Sequence, residues 1–352
     1  MRADLTPMER VLTTLAHREP DRVPFFIPVT IGGARELGMS VKEYLAHPES
    51  MVEGQIRKNL KYGDDFVCNF SYGAADFEAW GGEVIFYDDG PPTSGEPFLQ
   101  RVEDILQLEP PRVAEQPCLQ RVIEVTKSLK ERVGGATPIV GVFISPFSLP
   151  VMQMGFEKYL DVIYERPELF EHLVRVNEEF CVQWANAQLA AGATFVVSFD
   201  PVSSTTVIPA ELYVRTGLIS TTRVLDRLAG PMVIHMASGR CLPIIDHIAE
   251  SGAAGVAVSV LQDLGEIKDA CRGRITVLGN LNAIEMRRWS AEHAETMVKQ
   301  AIAAAGPGGG YVLADNHGEI PWQVPEDVLL AISEAVRNWG KYPLTWVGDS
   351  GS

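Results

Sequence analysis

The sequence is short of cysteine and of positive charge. Its five cysteines (Cys68, Cys118, Cys181, Cys241 and Cys271) form no CxxC pair and no even framework. That excludes a disulfide scaffold and makes a reducing cytoplasm the expected location. Thirty basic against 46 acidic side chains give a formal charge of −16 at pH 7. A chain this acidic is not expected to have nucleic acid or an anionic membrane as its main partner, although a local basic pocket for a small anion stays open. The opening MRADLTPMERVL carries charges within its first ten residues and has no apolar signal core. One uncharged stretch, 133–156, is long enough to cross a bilayer. Pro138, Pro146 and Pro150, with Gly134, Gly135, Gly141 and Gly155, punctuate it, so a buried strand–loop–helix is expected there instead. With 46% hydrophobic and 22% charged residues, intrinsic disorder is excluded as well.

Short β-branched runs alternate with helical patterns. Strands are expected at 23–29, 66–70, 138–145, 195–199, 232–236, 255–259, 275–281 and 311–314. They are apolar nearly throughout, as strands covered on both faces must be. Helices fit 41–61, 119–133, 167–190, 210–229, 242–250, 263–270, 291–304 and 325–338. Residues 1–21 read as a helical extension and 81–97 as a β-hairpin insertion around a DDGPP turn. Eight strands each followed by a helix predict an α/β fold of the (β/α)8 TIM-barrel type, in one domain spanning 1–352; a doubly wound open sheet is the alternative. GPGGG at 306–310 opens no helix and reads as a tight turn into the last strand, not as a phosphate loop.

In a barrel, catalytic groups gather at the C-terminal ends of strands and in the loops just after them. The polar residues at those places are Ser71, Tyr72, Ser145, Asp200, His235, Ser259, Asn280, Asn282, Asp315, Asn316 and His317. His235 and His317 are the two histidines that end a strand. The other five, His17, His47, His172, His247 and His293, fall on helices or their flanks.

At these positions the chain resembles the uroporphyrinogen decarboxylase superfamily nearly end to end. MERVLTTLAHREPDRVPFF is similar to its N-terminal segment. YERPELFEHLVRVNEEFCVQWANAQLAAGATFVVSFDP resembles the long helix entering its fourth strand. VLGNLNAIEM resembles its "GNLDP" strand, and LADNHGEIPWQVPEDVLLAI its C-terminal segment. The resemblance implies a TIM barrel and one of two chemistries. Decarboxylases of the family hold the acetate arms of a tetrapyrrole through an "RQAGR" segment and an "FSD" aspartate. Here those stretches read TIGGARELG, leaving Arg35, and FSYGA, with Tyr72 at the aspartate's place. A phenol cannot supply that aspartate's charge. The other branch, zinc-dependent methyltransferases acting on corrinoid proteins, writes His-x-Cys after strand five and a cysteine after strand eight. Here these read His235-Met236-Ala237 and His317.

The resemblance therefore implies a methyltransferase component of a corrinoid-dependent O-demethylation system. It moves a methyl group between a small methylated substrate and a methylcobalamin-type corrinoid on a partner protein. His235, His317, Asp200 and Tyr72 are its expected catalytic residues, and Ser145, Ser259, Asn280, Asn282 and Asn316 line its substrate. Zinc, if used, falls to His235 and His317 with Asp315 or Asp200 as third ligand, since Cys241 lies six residues beyond His235 in the next helix. Two alternatives stand beside this reading. One is a tetrapyrrole lyase, for which Arg35, Arg215 and Arg240 are the available carboxylate clamps. The other is a barrel that binds a corrinoid or tetrapyrrole without turnover. The oligomeric state is open between monomer and homodimer.

Overall fold

A computed structural model describes residues 4–69 and 72–348. Its centre is a curled parallel sheet. The strands, with a two-stranded hairpin between the first two, are β1 (Val67–Cys68), β2 (Val84–Ile85), β3 (Thr93–Ser94), β4 (Ile139–Ile144), β5 (Phe195–Phe199), β6 (Met232–His235), β7 (Gly255–Ala257), β8 (Thr276–Leu281) and β9 (Tyr311–Asp315). The sheet order is β1-β4-β5-β6-β7-β8-β9, every neighbour parallel, and β2 and β3 pair antiparallel as the expected hairpin. Such a sheet must be covered on both faces, and the strand residues are buried almost throughout. The uncharged stretch 133–156 supplies β4 and the short helix Leu149–Met154. No helix among the described residues is long and apolar enough to cross a membrane.

The strand expected at 23–29 does not form. Its only sheet contact is one parallel bridge, Phe25 to Leu313. The reason is written in Pro24 and Pro28, which have no N–H to give to a ladder. On one side Phe26 N donates to Leu313 O and Leu313 N to Pro24 O, both at 2.9 Å. On the other side two adjacent carboxylates stand in for a strand edge. Asp65 Oδ2 accepts from Phe25 N at 2.9 Å, and Asp64 Oδ2 accepts from Ile27 N at 3.1 Å. Asp65 N returns a bond to Phe25 O, and Lys58 Nζ one to Ile27 O. Buried charges need partners. Arg10 and Arg22 meet Asp65 at 2.6 and 2.7 Å, and Lys58 meets Asp64 at 3.0 Å. Phe70 and Ser71, which close the expected second strand, lie outside the described residues.

The helices follow their local signals. Pro7–Leu15 starts at a Thr6/Glu9 capping box, and Val41–Ala46 at a Ser40/Glu43 box. The helix expected over 41–61 breaks at His47, because the residue before Pro48 is pushed out of the helical region. The long helix Pro167–Ala191 runs as expected to Gly192. The 306–310 segment turns tightly into β9, with positive φ at Gly308, Gly309 and Gly310.

The Asp65 cluster yields a stability prediction. Asp65→Ala strips Arg22 of its buried counter-charge and the Phe25 N–H of its acceptor, while Arg10 keeps Asp21 at 2.6 Å, so urea denaturation is expected to show a loss of about 3–5 kcal/mol. Removing Glu53 from its exposed 2.8 Å pair with Arg57 is expected to leave the midpoint unmoved within error.

Candidate active site

The sheet encloses a cavity of about 50 Å³. Its walls are apolar: Phe66, Val142, Val197, Phe199, Val233, Ala257 and Leu278 contribute from the strands and their flanks. Its polar end is formed by Thr30, His235 and Asp315, with Gly318 above. No lysine or arginine lines it.

His235 ends β6, and its ring stacks on Phe199 with centroids 4.4 Å apart and planes 15° from parallel. Its Nδ1 accepts a hydrogen bond from Ala237 N at 2.9 Å. The loop after β9 lies directly on this stack. A Cβ on Gly318 would come within 2.3 Å of Phe199 Cζ and 3.0 Å of His235 Nε2, so only glycine allows the approach. Asp315 holds that loop in place, its Oδ2 accepting from His317 N at 2.6 Å and Gly318 N at 2.9 Å. His317 in turn meets Ser238 Oγ at 2.7 Å through Nδ1.

Two site residues were not anticipated from the sequence. Ser238, next to Ala237, connects the β6 loop to His317. Glu319 ties the β9 loop to residues 30–31: it accepts from the Thr30 hydroxyl, from Thr30 N at 3.2 Å and from Ile31 N at 3.5 Å. Both lie within two residues of a strand-end histidine or its motif, so proximity along the chain was the available signal.

The remaining expected residues are placed differently. Asp200 is buried below the rim, where its Oδ1 accepts from the hydroxyls of Ser145 and Ser148, each at 2.7 Å. It joins β4 to β5, while Ser145 Oγ also receives Ser148 N. The Tyr72 hydroxyl donates to Glu78 and its ring packs edge-on to Phe86, outside the cavity. Ser259 Oγ donates to Ser238 O, and Asn280 Nδ2 to Ser259 O, so these two brace the β6 and β7 loops. Asn282 Oδ1 caps the turn at Glu285, and Asn316 Oδ1 accepts from Ala283 N. Arg35, Arg215 and Arg240 are exposed, and Arg35 stacks on Trp322. None of the three lines the cavity.

The zinc expectation meets an unsuitable donor set. Among the described residues, no three His, Cys, Asp or Glu side chains converge as a metal site. All five cysteines are buried, and Cys68, the one that lines the cavity, joins no such group.

Burial pushes the titratable groups of the rim toward their neutral forms, leaving Asp315 the one of the four that is ionised at neutral pH. It drives the His235 pKa down to about 3, with repulsion from His317 adding to the effect. Burial also lowers that of His317. It raises Asp315 to about 6 against two backbone donors. Glu319 rises to about 8 for the same reason, with Asp315 contributing repulsion. His235 binds its proton more weakly when folded than unfolded, so its contribution is complete above about pH 6.5 and is lost as pH falls toward 3. Denaturation between pH 4 and 6 should therefore show wild type losing about 1.4 kcal/mol per pH unit more than His235→Gln, which cannot titrate.

Comparison with known proteins agrees with this architecture. A family profile described as "Uroporphyrinogen decarboxylase (URO-D)" matches residues 6–339. A uroporphyrinogen decarboxylase of Thioalkalivibrio sulfidiphilus is 24% identical over 93% of this chain and 96% of its own. One of Azoarcus sp. is 27% identical over 61% of this chain and 62% of its own. Among solved structures, a methyltransferase from Methanosarcina mazei shares the fold with a TM-score of 0.78 at 21% identity, covering 95% of this chain and 99% of that one. A B12-independent methionine synthase from Shewanella shares it at 0.56 and 13% identity, over 84% and 89%. The chain belongs to the uroporphyrinogen decarboxylase family.

Proposed function

We propose that the chain is the substrate-side methyltransferase of a corrinoid-dependent demethylation system, built on a (β/α)8 barrel whose eighth wall is the 23–29 segment. The sequence relatives are named decarboxylases and a fold neighbour is named a methyltransferase, so the choice rests on the site itself. The observation that carries it is an apolar cavity with Thr30, His235 and Asp315 at its polar end and no lysine or arginine on its walls. A tetrapyrrole with several acetate arms needs cationic or backbone donors for each arm, because an unpaired buried carboxylate is costly. A small methylated molecule needs an apolar recess for its methyl-bearing part and one or two polar contacts. This cavity has that balance.

In this reading the apolar walls hold the methylated end of the substrate, and His235 and His317 meet its heteroatom. A reduced corrinoid on a partner protein supplies the cobalt(I) nucleophile when docked at the rim. The methyl–heteroatom bond breaks with its electron pair left on the heteroatom. For an oxygen leaving group, the Asp315 carboxyl, raised to about 6 and lining the cavity, supplies the proton that yields the hydroxyl product. A homodimer is not required by this reading.

The test is methyl transfer from a methyl aryl ether to chemically reduced cobalamin, followed by the absorbance of methylcobalamin. Turnover is expected to fall as pH rises through about 6, and Asp315→Asn to be slow and to lack that dependence. Ala257→Leu fills the recess, and kcat/KM is expected to drop at least about tenfold while the chain stays folded. Release of carbon dioxide from uroporphyrinogen without methyl transfer would overturn the assignment.

A further inference from the structure

The bond from Ala237 N to His235 Nδ1 fixes more than a ring orientation. An N–H can be received only by a bare nitrogen, so the proton of the neutral imidazole sits on Nε2. The Nδ1 lone pair is then engaged, and Nε2 carries hydrogen in place of a free lone pair. A neutral ring in this tautomer has nothing to offer a metal ion. Ala237 itself adopts φ +48, a left-handed conformation, just after the N–H that meets the ring. For a residue with a Cβ this conformation costs roughly 1–2 kcal/mol, so the surrounding structure must hold it. Elsewhere on the rim, Asp315 Oδ2 accepts two backbone N–H groups, and His317 Nδ1 shares a hydrogen bond with Ser238 Oγ. His235 Nε2, by contrast, has no hydrogen-bond partner among the described residues and lies beside the gap that Gly318 leaves at the cavity mouth.

We infer that this site works without a bound metal: His235 is a hydrogen-bond donor through Nε2–H, locked in that tautomer by Ala237. A fixed N–H donor activates a methyl donor that offers an oxygen acceptor, and it gains little from a thiol or thioether, whose sulfur accepts weakly. The substrate class is therefore a methyl ether. The ether selectivity rests on the methyl-transfer reading above, whereas the metal independence does not.

The experiment separates the two. Two-bond ¹H–¹⁵N correlation spectra of histidine-labelled wild type are expected to show His235, assigned by its loss in His235→Gln, protonated on Nε2. One equivalent of zinc chloride should leave that pattern unchanged, and the dialysed chain should retain less than about 0.1 zinc. In ligand-observed titrations, His235→Gln, whose amide also donates, should bind anisole within about threefold of wild type. His235→Ala should lose about tenfold or more, with thioanisole weak and insensitive to either change. About one zinc per chain, lost in both variants, would overturn the metal independence even if methyl transfer were observed. Equal loss of anisole in His235→Gln and His235→Ala would overturn the donor role. An intact Nε2–H pattern without methyl transfer to cobalamin overturns the functional reading and the ether selectivity with it, and leaves the metal independence standing.

Discussion

Two adjacent carboxylates do the hydrogen bonding that an eighth strand would otherwise require. Asp64 and Asp65 take the N–H groups of Ile27 and Phe25, which the prolines on either side leave without a regular ladder. Without them the 23–29 segment would have one bridge to β9 and buried donors facing β1. The carboxylates are tolerable in the interior because Arg10, Arg22 and Lys58 neutralise them at close range. The short N-terminal helix, which carries Arg10, is thus part of the wall. Its role is to bring a counter-charge to Asp65, beyond covering one end of the sheet.

The active rim depends on that wall. Thr30 follows the segment directly, and its hydroxyl and backbone N–H groups hold Glu319 in the loop after β9. Asp315 folds the same loop over Gly318, and Gly318 seats it on the Phe199–His235 stack. The cavity is therefore closed by a chain of contacts running from a buried ion cluster to an imidazole. Each link excludes water, and exclusion of water explains why histidines and carboxylates alike are driven toward their neutral forms. Of the four titratable side chains only Asp315, raised to about 6, is ionised at neutral pH.

Much of this was legible in advance. Apolar runs with helical spacing between them gave seven parallel strands close to their expected bounds, and the GPGGG turn and the hairpin appear where turn chemistry put them. The exception at 23–29 had its warning in Pro24 and Pro28. Strand-end position picked out His235 and Asp315, which line one cavity, and His317, which lies in the loop above it. It also selected Asp200, Ser145, Ser259 and Asn316, which share that position but turn their polar atoms toward loop backbone and each other. Strand-end rank says how high a residue stands on the sheet, and not which way its side chain faces.

The sequence by itself determined the parallel α/β architecture, the family, and the pair of histidines, because hydrophobic period and motif order are properties of the chain read along its length. The tertiary structure decided what those histidines can do. Whether His235 binds a metal or donates a proton-bearing nitrogen turns on one backbone N–H, that of Ala237, whose direction no composition or spacing encodes. Likewise, the shifted protonation of the rim arises from burial, which exists only once loops distant in sequence have closed over the same few atoms.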